Sequence, residues 1–192
     1  MRVVPTKTRP RDAEATKQRI LAAATVEFAA HGIAGARVDR IASAAAANKS
    51  LIYAYFGNKD ALFDAVFEAM VATTVEEIAI DADDLPGFAG RVFDHRLAHP
   101  ELIRLVAWDR LERGGAGIAG EAVQDAHDTK VKAIARAQRE GKIASTLSAA
   151  ALMEFILAVA ETELDLAPGS RAAAAHRKRI AAAVAQLVEA PA

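Results

Sequence analysis

Apolar residues along this chain recur at intervals of three and four, and no stretch alternates in the manner of a strand. Ile20, Leu21, Ala24 and Phe28 fall on one helical face. They predict a first helix that Asp12 can cap and that His31-Gly32 ends, glycine supplying a left-handed stop. Val38, Ile41, Ala42 and Ala45 are spaced i, i+3, i+4, i+7 and predict a short second helix, with a brief turn at Ala46-Ala47. Asn48 is a good N-cap for a third helix running to Phe56. Gly57 ends that helix and Asn58 can cap a long fourth one. In the fourth, Leu62, Phe63, Val66, Phe67, Met70 and Val71 repeat at three and four before the pattern fades near the acidic run 81–84. Further helices are expected near 88–98, 100–113, 119–140, 148–166 and 170–189, punctuated by Pro100, the glycines of 114–120, Gly141 and Pro168-Gly169. With no strand pattern and no internal repeat, the expected fold class is all-α.

Composition removes several kinds of chemistry. The 192 residues include no cysteine, so there is no disulfide framework, thiol nucleophile or cysteine zinc site. The apolar stretch after the first basic residues is interrupted by Glu27 and His31 and has helical period, which argues against a secretory signal. No run is long or uncharged enough to span a bilayer, and a cytoplasmic protein with no membrane partner is expected. The net charge of −1 hides a division. Residues 1–59 carry ten Lys/Arg against four Asp/Glu, a net of +6. The rest carry fourteen against twenty-one, a net of −7. A basic head on an acidic body suggests a polyanionic partner for the head. A solvated basic tail is the alternative, because four of the ten bases fall within residues 1–11, which read as a disordered basic arm.

Two short helices joined by a three- or four-residue turn form a helix-turn-helix unit, whose second helix enters the DNA major groove. The spacing of helices 38–45 and 48–56 fits that unit. The stretch "VDRIASAAAANKSLIYAYFGNKDAL" resembles the signature of the tetracycline-repressor (TetR) family of transcription regulators. Ile41, Ala42, Tyr53, Tyr55, Phe56, Lys59 and Leu62 meet its pattern. The likeness covers about 60 residues, from the first helix to the fourth; beyond it the chain matches only in length and helix number. With Ile52 as origin, Phe56 lies about 40° and Tyr55 about −60° around the third helix, toward the core, while Tyr53 lies about 100° away on the other shoulder. Ser50 and Ala54, at about 160° and 200°, form the outer face. The tyrosines can pack their rings beside the core and direct their hydroxyls to the phosphates bordering a groove. Lys59 opens the fourth helix, where a cation is disfavoured by the macrodipole but makes a phosphate site beside free N–H groups. The expected DNA-binding set is Arg37, Asn48, Lys49, Ser50, Leu51, Tyr53, Ala54, Tyr55 and Lys59. Three positions depart from the family pattern. Ala46 replaces the glycine of the turn, Arg37 a Ser or Thr cap, and Ser50 a frequent glycine.

The expected organisation is a basic arm at 1–11, a DNA-binding domain at 12–59 with its helix-turn-helix at 37–56, a connecting helix at 59–80, and an effector-binding and dimerisation domain at 81–192. The segment 149–160 is apolar almost all round, with Glu154 its only charge, and must be covered on most sides. The resemblance implies that the last two helices pair with their copies in a homodimer, through Leu152, Ile156, Val159, Ile180, Val184 and Leu187. Alanines at 172–175 and 181–183 would allow close approach. A monomer whose core includes both helices is the alternative. Phe88, Phe93, Leu105, Trp108, Ile134, Met153 and Phe155 are the large groups available to wall a mostly apolar pocket, which the resemblance implies for a small-molecule effector. His95 and His99 share a helical face and could hold a metal. Without a clear third ligand they read as exposed histidines near a helix end, and neither a metal nor a cofactor is expected. Gly115, Gly117 and Gly120 match a dinucleotide pattern but follow a helix rather than a strand. No nucleophile–base pair or phosphate loop supports an enzyme. A regulator, most simply a repressor released from a double-stranded DNA operator by its effector, is therefore favoured. A helical enzyme and an architectural DNA binder are the alternatives.

Overall fold

The computed structural model describes residues 10–117, 120–161 and 166–189. Among them are nine helices and no strand: α1 (Pro10–Gly35), α2 (Val38–Ala44), α3 (Lys49–Phe56), α4 (Lys59–Glu77), α5 (Leu85–Ala98), α6 (Pro100–Arg113), α7 (Glu121–Arg139), α8 (Ala149–Ala160) and α9 (Arg171–Val188). Among the described residues, no helix is long and apolar enough to cross a membrane. The arm expected at 1–11 lies outside the described residues except for Pro10 and Arg11, which open α1, so Asp12 sits in its first turn rather than at its cap. The helix expected over 148–166 ends at Ala160, with Glu161 as its C-cap.

Two compact units divide the chain. One is Met1–Met70 with Arg104–Gly117; the other is Val71–Ile103 with Ile118–Ala192. Most of α6, from Arg104 on, thus belongs with the amino-terminal helices rather than with the rest of the 81–192 segment.

The first unit is centred on Ile20, Ala24 and Phe28 of α1, Ile41 of α2, Ile52 of α3, and Leu62, Phe63 and Val66 of α4, all buried. Phe28 meets Phe63 edge-on at 5.2 Å between ring centroids, and Phe63 meets Phe67 at 5.4 Å. Gly32 breaks α1 with φ 70° and ψ −178°, a backbone that only glycine adopts readily. A Cβ there would come within 2.9 Å of the Trp108 ring. Trp108 Nε1 donates to the Ala29 carbonyl at 3.3 Å, and Glu112 accepts from the Ala34 N–H at 2.7 Å, so α6 seals the end of α1. Arg113 completes this side, donating to Asp64 at 2.7 Å with its guanidinium over the Phe63 ring.

In the second unit, α5, α7, α8 and α9 share one apolar core of Leu85, Phe88, Val92, Phe93, Ile134, Leu152, Met153, Ile156, Ile180 and Val184. Each helix gives one face to it, as the three-and-four spacing requires. Ser148 and Ser170 cap α8 and α9, each accepting from the backbone N–H three residues on. The loop between α7 and α8 is pinned at both ends. Gln138 donates to the carbonyls of Ala144 and Leu147, and the Ala144 N–H reaches Val188 O at the end of α9.

Candidate nucleic-acid interface

The turn between α2 and α3 is a Schellman ending. The Ala46 N–H bonds Ser43 O at 3.2 Å and the Ala47 N–H bonds Ala42 O at 2.9 Å. Such an ending needs a left-handed residue, and Ala46 takes it at φ 48°. Alanine there costs roughly 1 kcal/mol relative to glycine. Arg19 of α1 donates to Ala45 O at 3.2 Å and ties the turn down. Asn48, at the expected N-cap, accepts from the Ser50 N–H at 2.8 Å. Gly57 ends α3 at φ 82°, and Asn58 Oδ1 accepts from the Ala61 N–H at 2.8 Å to start α4.

Arg37 makes no side-chain cap for α2. Glu27 of α1 does this work from outside. It accepts the Arg37 backbone N–H at 2.8 Å and Arg40 Nε at 2.7 Å, with His31 Nε2 at 3.8 Å. A carboxylate that is only 10% exposed must be compensated in this way. Burial alone would raise the Glu27 pKa, but the Arg40 and Arg37 hydrogen bonds and the nearby cations prevail and hold it below the usual glutamate value. In the sequence, Glu27 shows only as a charge interrupting an apolar helix. That misfit was the available signal, since a charge on a core-facing helix needs a partner.

α3 presents its outer face as its rotation predicts. Ser50 and Ala54 are exposed, Tyr53 is 42% exposed, Ile52 is buried, and Leu51, Tyr55 and Phe56 are half-buried. Lys17 of α1 lies 5.6 Å from the centroid of the Tyr55 ring. Several bases of the head are engaged within it. Arg40 pairs with Glu27, and Lys49 pairs with Asp39 at 2.9 Å, each raising the other's affinity for its charged form. Lys59 Nζ donates to the Ala34 and Ala36 carbonyls at 3.2 and 3.4 Å. Those carbonyls close α1 and precede α2, so Lys59 also clips the helix-turn-helix to α4. An ammonium has three donors, and this arrangement uses two. The Arg37 side chain is exposed beside α2.

The body differs from expectation at three places. Leu152, Ile156, Ile180 and Val184, expected at a dimer interface, are buried in their own chain, and Val159 and Leu187 pack half-buried against the same core. The physical reason is that α5 and α7 already occupy that face of α8 and α9. The outward face of α8 is Ala151, Glu154, Phe155 and Ala158; on α9, Ala172, Ala175, Arg179, Ala182 and Gln186 are exposed. Of the expected pocket walls, Phe88, Phe93, Ile134 and Met153 lie together in the body core, but Phe155 is 51% exposed. Leu105 and Trp108 belong to the other unit, where Trp108 bonds α1. His95 and His99 are not an exposed pair. The His95 side chain is 9% exposed and lies 3.1 Å from a carboxylate oxygen of Glu77. Burial and the neighbouring His99 lower the His95 pKa, against the opposing pull of Glu77 and Glu101.

The fold is shared with known proteins. Residues 20–66 match the family model described as bacterial regulatory proteins, tetR family, and residues 84–191 match that of the tetracyclin repressor-like C-terminal domain. The chain is 46% identical over 151 residues to the HTH-type transcriptional repressor SCO4008 of Streptomyces coelicolor, covering 78% of this chain and 79% of that protein. It is 31% identical over 121 residues to the HTH-type transcriptional repressor NicS of Pseudomonas putida, covering 59% of this chain and 57% of that one. The crystal structure of the transcriptional regulator SCO4942 from Streptomyces coelicolor superposes with a TM-score of 0.78 at 36% identity, covering 92% of this chain and 99% of that one.

Proposed function

This chain belongs to the TetR family of DNA-binding transcriptional regulators, and we propose that it acts as a repressor dimer released from its operator by a small-molecule effector. The reading as a repressor draws on the names of SCO4008 and NicS. The observation that carries the DNA contact is the outer face of α3. Small exposed Ser50 and Ala54 let the helix approach the floor of a groove, and Tyr53 stands at its shoulder. In this reading Tyr53, Tyr55, Arg37, Lys49 and Lys59 grip phosphates, the Asn48 cap fixes the entry angle, and Leu51 sits at the rim.

The dimer forms through the outward faces of α8 and α9. Phe155 supplies an exposed apolar anchor, and Ala151, Ala158, Ala172, Ala175 and Ala182 permit close approach. Its recognition helices would meet half-sites about 34–36 Å apart or a multiple of that. The effector pocket is drawn from Phe88, Phe93, Ile134 and Met153, the four expected walls that share one core.

The experiment is a fluorescence-anisotropy titration on DNA fragments selected from the genome by the protein itself, repeated across a salt series. Lys59→Ala should weaken binding equally on all sequences and lower the salt slope by about one unit. An unchanged slope would assign Lys59 to the clip between α1 and α4 alone. Sedimentation should find a dimer at micromolar protein; a monomer would remove the α8–α9 interface.

A further inference from the structure

We propose that Glu77, His95 and His99 form a binding site for a divalent transition-metal ion of the zinc class. The three side chains come from the end of α4, the last turn of α5 and its C-cap. All lie in the second unit. One ligand atom from each falls within 4.8 Å of the other two. Glu77 Oε2 is 3.1 Å from His95 Nε2 and 3.8 Å from His99 Nε2. An ion bound at about 2.0–2.1 Å in tetrahedral geometry spaces its ligands about 3.4 Å apart, so these two edges already bracket the required length. The imidazole rings lie 4.6 Å apart between centroids, and rotation of either about its side chain brings the third edge to length.

Glu101, at the start of α6, lies 3.2 Å from His99 Nδ1. A carboxylate there accepts a hydrogen bond from the Nδ1–H and so leaves the Nε2 lone pair facing Glu77 and His95. Metal-ligating histidines commonly have this arrangement, with an outer carboxylate fixing tautomer and ring angle. The chemistry of the donors selects the ion. Two imidazoles and one carboxylate suit zinc, cobalt, nickel or copper and discriminate against magnesium and calcium, which prefer all-oxygen sites. Three protein ligands leave a fourth position for water or a ligand atom. Glu77 is half exposed and gives the ion a way in, whereas the His95 side chain is 9% exposed and anchors the site. Occupancy would join the end of α4 to α5 by bonds stronger than the present His95–Glu77 contact. Metal binding at this site is independent of which DNA or effector the protein binds.

The test uses the full-length protein stripped with a chelator and titrated with Co(II) and Zn(II). The expected result is one ion per chain, with visible Co(II) absorption of a four- or five-coordinate nitrogen–oxygen site and a raised melting temperature on metal addition. Glu77→Gln and His99→Ala should each weaken Co(II) binding by at least about a hundredfold, and Glu101→Gln by about ten- to a hundredfold. Glu101 is partly exposed and holds no place in the apolar core, so its variant reads the site even where a ligand variant fails to fold. No Co(II) binding by the parent protein, or undiminished binding in both Glu77→Gln and Glu101→Gln, would overturn the proposal.

Discussion

In the first unit, α1, α2, α3, α4 as far as Met70 and most of α6 are joined by polar ties as much as by their core. Glu27 reaches α2, Arg19 reaches the turn, Lys59 reaches the end of α1, and Trp108 and Glu112 reach α1 from α6. In the second unit, α5, α7, α8 and α9 meet through one apolar cluster, and among the described residues the polar tie that joins the most distant positions is Arg177 to Asp94 at its margin. The difference follows from the task. A hydrophobic core tolerates exchange of side chains of similar volume, so it fixes a fold but leaves small adjustments open. Charge-assisted hydrogen bonds are directional and hold a turn and a helix at one angle. On the proposed function, a recognition helix that meets phosphates is served by the second kind and a body that accommodates a ligand by the first.

Substitutions can break this contrast. The largest effect is expected in the body. Phe88→Ala should cost about 3–5 kcal/mol in urea unfolding, because it empties a fully buried site among α5, α8 and α9. That loss should be nearly independent of pH, since the group removed carries no charge. A cost below about 1 kcal/mol would mean the body is not held by this core.

A smaller loss, with a different signature, is expected in the head. Glu27→Ala should cost about 1.5–3 kcal/mol at neutral pH, the worth of a hydrogen bond to a charged group at a mostly buried site. Its pKa is lower in the folded protein than in the unfolded chain. The stabilisation is therefore fully present above the ordinary glutamate range and is lost as pH falls through it toward the folded value. Between neutral pH and that range the parent and Glu27→Gln should differ by a constant amount, and the gap should close in acid. A gap that persists unchanged through acid would show that Glu27 acts by packing and not by charge.

The head was the more legible region for the same reason that it is polar. Caps, turns and glycine stops are local and announce themselves in short stretches: Asn48, Gly57 and Asn58 stand where the sequence places them. Long-range partners do not. Nothing near Glu27 in the chain names Arg40, which lies 13 residues on and past the kink at Gly32, and Glu112 is 78 residues from the Ala34 N–H that it accepts. In the body, three-and-four spacing marks which residues are apolar but not which neighbour covers them. Thus Leu152 and Ile180, expected at an interface, are core residues because α5 lies on them. Glu77 likewise meets His95 only because the end of α4 returns beside α5.

If the outward face of α3 enters DNA, Ala54→Glu should disrupt the complex. Ala54 is exposed, and glutamate is nearly as good a helix former as alanine, so folding should be preserved. The added carboxylate would face the phosphates and base edges of the groove. Measured by anisotropy on the DNA that the parent protein selects, the dissociation constant should rise by at least about a hundredfold while the melting temperature stays within a degree or so. Unchanged affinity in a folded Ala54→Glu protein would mean that this face of α3 does not touch DNA.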